Sequence, residues 1–187
     1  SLIDFYDRRI RRIAPAALTV LVVTLLAGYF LLMPGDYASL GKSAVYSAFG
    51  AGNLFFFWHT DYFDREASLQ PLLHMWSLGV EEQFYVAWPA VLALILRIAK
   101  RRRGLTISMI AVISAISFSV CLHELKIDPK AAFYLPYNRA WELGVGALIV
   151  FVPTLRSRVM AEVAGLAGVL LIAFGLFTLR HSDPFPG

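Results

Sequence analysis

Charge is scarce in this sequence. Of 187 residues only 16% are Asp, Glu, Lys or Arg, against roughly a quarter in ordinary soluble domains. Disordered chains are rich in charge and poor in apolar residues, so disorder is excluded. A soluble globule fits badly. Cysteine is rarer still: Cys121 is the single one. It falls inside an apolar window, which excludes a disulfide framework and a cysteine-built metal centre. The chain also lacks a Walker loop, a dinucleotide fingerprint, a His-Glu-x-x-His and a Gly-x-Ser-x-Gly. No long internal repeat is visible, which argues against a transporter built from paired halves.

What the chain has is apolar surface. Hydrophobic residues make up 58% and aromatics 14%, and the mean hydropathy is +0.64. Several windows approach the ~20 apolar residues that span a bilayer. The expected fold is all-α, a polytopic transmembrane helix bundle in the lipid bilayer. About five spans are expected, near residues 14–33, 78–97, 106–123, 133–152 and 159–179. Residues 37–57 mix apolar side chains with Lys42, several Ser and three Gly. They read as a hairpin, a re-entrant piece or an interfacial helix, with their depth left open.

The net charge of +4 and pI near 9.4 do not point to nucleic acid. The basic residues sit in short clusters beside apolar runs, at residues 8–12, 97–103 and 156–158. That is membrane topology rather than a phosphate-tracking surface. Placing all three clusters in the cytoplasm demands an even number of crossings between Arg12 and Arg97. The spans at 14–33 and 78–97 supply them. The other side then carries Asp61, Asp64, Glu66, His74 and the terminal FPG.

The chain is organised around residues 72–89, LLHMWSLGVEEQFYVAWP. A His, a Ser, two carboxylates and a Gln crowd the head of an otherwise apolar run, and ionisable groups in or beside a membrane span are costly enough to suggest function. Helical spacing puts His74, Ser77, Glu81, Phe84 and Trp88 on one side. Glu82 lies about 100° round. Ser77 is the expected N-cap, although Val80 three residues on rules out a capping box. The simpler reading is that two first-turn acids complement the helix macrodipole at the water boundary. Too few residues follow Phe84 to cross the bilayer, so Glu81 and Glu82 are expected at, or just beneath, its outer edge.

Two further clusters carry charge. Arg8, Arg9 and Arg12 are spaced to present guanidinium forks on one helix face, which suits a phosphate-bearing cytosolic ligand. Simple anchoring to anionic headgroups is the plainer explanation of the spacing. In NRAWE, Arg139 and Glu142 stand i,i+3, so pairing would lower the cost of both near lipid. By the topology above, this pair shares the outer side with Glu81 and Glu82. Ala161/Gly165 and Ala164/Gly168 give small-residue spacings suited to close helix packing.

These residues resemble a known family. FYDRRIRRIAPA, NLFFFWHTDYFD, PLLHMWSLGVEEQFYVAWP and NRAWELGVGAL occur in the order found in acyltransferase 3 proteins, and the terminal FPG fits too. These are integral membrane O-acyltransferases of bacterial surface polysaccharides and related acceptors, lipopolysaccharide among them. The resemblance covers nearly all of the chain, read as a partial acyltransferase domain over residues 1–187, cut at both ends. It implies transfer of an acyl group, usually acetyl, from cytoplasmic acyl-coenzyme A to an extracytoplasmic hydroxyl, in the bacterial inner membrane. No bound cofactor and no metal are expected; acyl-CoA is a donor substrate. Arg9 and Arg12 would help hold the donor's phosphates. Glu81 and Glu82 would serve catalysis, with His74, Ser77, Arg139 and Glu142 binding substrate. The family's proposed catalytic His lies upstream of the Arg-x-x-Arg, and none of His59, His74, His123 or His181 aligns with it. This segment alone is therefore expected to be inactive. The alternative is a transporter or flippase whose intramembrane carboxylates form an ion path.

Overall fold

The computed structural model describes residues 2–59, 70–152 and 157–178, and eight helices lie within them. They are α1 (Leu2–Leu31), α2 (Pro34–Ala48), α3 (Gly52–His59) and α4 (Met75–Ile98), followed by α5 (Arg103–Ile127), α6 (Pro129–Tyr134), α7 (Pro136–Ile149) and α8 (Arg158–Thr178). No strand occurs among the described residues. The fold is an all-α bundle. Four helices are long and apolar enough to cross a bilayer: α1, α4, α5 and α8.

The basic approach is itself helical, so α1 carries its arginines and its apolar run on one continuous rod through Pro15. It ends at Leu31, and no loop follows: Pro34 and Gly35 are the first residues of the next helix rather than a turn. Met33 is extended and Pro34 begins α2 directly, since a proline at the first helical position gives up an N–H that lacks a partner anyway. The chain therefore doubles back. Gly28 lets α2 approach closely, because a Cβ there would stand 2.5 Å from a Leu40 methyl. Residues 37–57 resolve into the second part of α2, a tight turn and most of α3: a helical hairpin.

The buried core gathers around α3. Phe55 and Phe56 meet Leu21 of α1, Leu40 and Ala44 of α2, Leu72 and Met75 at the approach to α4, and Phe133 and Tyr134 of α6. Burying this apolar surface is worth roughly 25 cal/mol per Å² where the alternative is water. Against lipid, close packing and internal hydrogen bonds must carry more of the specificity.

One expectation needs correction. The span placed at 133–152 is not a continuous helix. Leu135, with φ −86° and ψ 132°, separates α6 from α7, because the ring of Pro136 disfavours helical geometry in the residue before it. The 14 residues of α7 rise only about 21 Å at 1.5 Å each, short of the ~30 Å hydrocarbon core. The α6–α7 pair nevertheless returns the chain to the start of α5: the Arg103 guanidinium donates to the Phe151 carbonyl at 2.7 Å. Along the way α5 and α7 pack tightly. Gly144 admits the Ser114 hydroxyl, with no room for a Cβ between them. Ser117 Oγ donates to the Tyr137 carbonyl at 2.6 Å and accepts from the backbone N–H of Trp141 at 3.0 Å.

Candidate functional site

The head of α4 starts earlier than its sequence suggests. Met75 is the first helical residue and His74 occupies the N-cap position without a side-chain cap. Ser77 is inside the first turn, where its hydroxyl donates to the His74 carbonyl at 3.2 Å. The expected Ser77 cap is therefore corrected: a helical turn at residues 71–74 leads into α4, so no extended cap residue is needed.

The face expected of α4 is present. His74, Ser77 and Glu81 are exposed along it, and Phe84 stacks on Trp88 with centroids 5.0 Å apart. Round the helix, Glu82 is half-buried. It packs directly on Gly50, which has φ +66° and no space for a Cβ against the carboxylate. Glycine fits there on both counts.

Below that contact lies an amide pair whose function the sequence did not announce. Asn53 is fully buried. Its Nδ2 donates to the Tyr134 carbonyl at 3.1 Å and to Gln83 Oε1 at 3.4 Å. Gln83 Nε2 returns a bond to Asn53 Oδ1 at 2.7 Å and another to the Gly50 carbonyl at 2.8 Å. One network thus ties α3, α4, α6 and the turn at Gly50, next to Glu82. Gly79 makes it possible, since a Cβ there would come within 2.8 Å of Asn53 Oδ1. The available signal was an Asn alone in the aromatic run NLFFF.

The heads of α4 and α7 do converge. One amino group of Arg139 contacts both carboxylate oxygens of Glu142, at 2.9 and 3.0 Å. Its guanidinium lies 4.8 Å from the centroid of Trp76 in the first turn of α4, and 5.6 Å from that of Phe133. The aromatic faces complete a partly dry cradle for the cation.

The basic approach divides. Arg9 turns toward α4, its guanidinium 3.7 Å from the Tyr85 centroid, while the Tyr6 hydroxyl donates to the Val86 carbonyl at 3.2 Å. Arg12 and Arg8 are exposed, and Arg11 pairs with Asp7 at 2.9 Å. The helix therefore does not hold all its forks on one ligand-facing surface. Tyr85 is one turn past Glu81, so Arg9 comes to the same stretch of α4 as the carboxylates. No group of three metal-binding side chains occurs among the described residues. Asp61, Asp64, Glu66, His181 and the FPG tail lie outside them.

A multi-helix membrane protein with paired charges held at its helix heads is the class this arrangement defines. The chain belongs to the acyltransferase 3 family: its model, described as an acyltransferase domain, matches residues 1–184. Peptidoglycan O-acetyltransferase OatA of Listeria monocytogenes is 32% identical over the whole chain, which covers 31% of that relative. YrhL of Bacillus subtilis, named as a candidate peptidoglycan O-acetyltransferase, is 36% identical over 80% of the chain and 24% of its own length. An uncharacterized protein of Haemophilus influenzae is 29% identical over the whole chain and 80% of its own length. The chain thus spans about a quarter to a third of the first two relatives. No solved structure matches it.

Proposed function

We propose that this segment forms part of an O-acyltransferase that moves an acyl group, acetyl in the simplest case, from cytoplasmic acyl-CoA to a glycan hydroxyl across the membrane. Family membership supports the reaction type, and the Listeria and Bacillus relatives named for peptidoglycan O-acetylation support a peptidoglycan-like acceptor. The observation that carries the reading is Arg9 on Tyr85, one turn from Glu81 and three residues from Glu82. A residue of the basic approach and the carboxylates meet on one helix.

In the transfer, the hydroxyl oxygen bonds to the acyl carbon and the thioester C–S bond breaks. A general base takes the hydroxyl proton, which ends on the departing thiol. Arg9 and Arg12 bind the donor's phosphates from the cytoplasmic side. Glu82, held by Gly50, orients the base or the acceptor, and Glu81 is the second carboxylate. His74 and Ser77 lie on the outer approach, and the Arg139–Glu142 pair fixes the neighbouring wall. The basic clusters face the cytoplasm and the α1–α2 turn faces outward, in the bacterial inner membrane.

The test is expression of the full-length protein in a host lacking glycan acetylation, with mass spectra of its extracytoplasmic glycans. Intact protein is expected to acetylate them. Arg9→Ala and Glu82→Gln, at equal membrane abundance, are expected to reduce the product at least tenfold. Undiminished acetylation in both variants would reduce these residues to anchor and helix-packing roles. A substrate flux without any acetylated product would point instead to the transporter reading.

A further inference from the structure

A cavity of about 470 Å³ opens where α1 ends, away from the carboxylates of α4. Asp36 and Ser39 of α2, His59 at the end of α3 and Gln70 before α4 supply its polar wall, while Leu40 and Pro71 supply apolar surface. Its size falls within the roughly 300–1,000 Å³ of small-ligand clefts.

The chemistry of the wall is specific. His59 Nδ1 lies 3.0 Å from the Phe55 carbonyl. A carbonyl only accepts, so Nδ1 carries the proton, and in the neutral ring Nε2 is left as an acceptor. The ring is held flat against Phe55, with centroids 4.6 Å apart and planes 13° from parallel. Asp36 makes no ion pair among the described residues. First-turn acids often serve only the helix dipole, but this one also lines the cavity. A carboxylate and an imidazole lone pair both accept, so they match a ligand rich in hydroxyl donors. The same carboxylate repels phosphates.

Position agrees with chemistry. Leu31 lies nineteen positions beyond Arg12 in α1, about 28 Å of helix, close to one hydrocarbon thickness. The cavity therefore sits a membrane's width from the basic approach. Along α3, His59 is seven residues beyond Gly52, about 10 Å from the turn that holds Glu82.

We infer that this cavity binds a neutral, hydroxyl-rich saccharide unit of the acceptor, with Asp36 and His59 accepting hydrogen bonds from its hydroxyls. The inference rests on the acyl-transfer reading for its role, though binding is measurable without turnover. The probe is a β-1,4-linked N-acetylglucosamine tetrasaccharide, titrated into purified full-length protein. Acetyl transfer from acetyl-CoA is assayed on the same preparations.

Intact protein is expected to bind the probe. Asp36→Ala and His59→Ala should weaken binding at least about tenfold, the size of one hydrogen bond to a charged or fixed acceptor. His59→Gln, which keeps an acceptor, should recover part of the loss. Ser119→Ala on α5 should bind as intact protein does, and free coenzyme A should not displace the probe. Equal binding by all variants, no binding by intact protein at millimolar probe, or displacement by coenzyme A would each overturn the inference. Variant-sensitive binding without acetyl transfer would leave the saccharide site standing and remove the enzyme reading. Transfer unchanged in Asp36→Ala and His59→Ala would keep the enzyme and remove the site.

Discussion

Gly50 shows how a single residue sets the site. Its positive φ and its contact with Glu82 leave no place for a methyl group. Gly50→Ala is expected to cost more than ~1 kcal/mol, because Ala disfavours φ > 0, and to displace Glu82. A lower unfolding midpoint in detergent, together with reduced acyl transfer, would be the signature. Asn53→Leu keeps the volume but leaves Gln83 Oε1 without its Asn53 donor and takes one of two acceptors from Gln83 Nε2. Each orphaned group costs about 1–3 kcal/mol, which the same denaturation measurement would reveal. Arg139→Lys preserves the charge and a single-nitrogen contact to Glu142 of the kind seen here, yet loses the planar guanidinium on Trp76. Transfer activity should fall about tenfold at normal membrane abundance. Equal activity would mean that charge alone suffices there. Glu81, Glu82 and the arginines were legible as unusual charges in an apolar chain. The amide pair was not, since neither Asn nor Gln stands out until two distant helices bring them together.

Helix by helix, the apolar windows located α1, α4, α5 and α8 to within a few residues, apart from the basic start of α1. Length and hydropathy suffice where a helix is continuous. They fail at Leu135, because mean hydropathy does not register the steric effect of Pro136 on its neighbour. They also missed that α2 begins without a loop. The α5–α7 contact rests on small residues, so bulk should separate the pair. Gly144→Leu forces a large side chain against Ser114 and is expected to cost ~1–3 kcal/mol. Loss of thermal stability in detergent, partly relieved in the Ser114→Gly/Gly144→Ala double variant relative to Gly144→Ala alone, would establish the close approach as its cause.

At the scale of the whole molecule, charge asymmetry motivates the orientation proposed above. The start of α5 and the end of α7 are held together by Arg103 and Phe151, and the α1–α2 turn lies at the far end of α1. In a Cys121→Ser background, Lys100→Cys should react with a membrane-impermeant thiol reagent only after the cytoplasmic face is opened. Asp36→Cys should react in intact cells. The reverse pattern would invert the proposed orientation and with it the assignment of donor and acceptor sides. By itself the sequence determined the all-α membrane class, the positions of the long helices and the family, because hydropathy, charge clustering and ordered motifs are local properties of the chain. The tertiary structure decided which distant residues these charges meet. Arg9 meets Tyr85, Arg139 meets Trp76, and Glu82 meets Gly50 through contacts between residues distant in sequence. Whether a polar side chain faces lipid, a partner or a cavity depends on helix rotation and packing, which no single segment encodes.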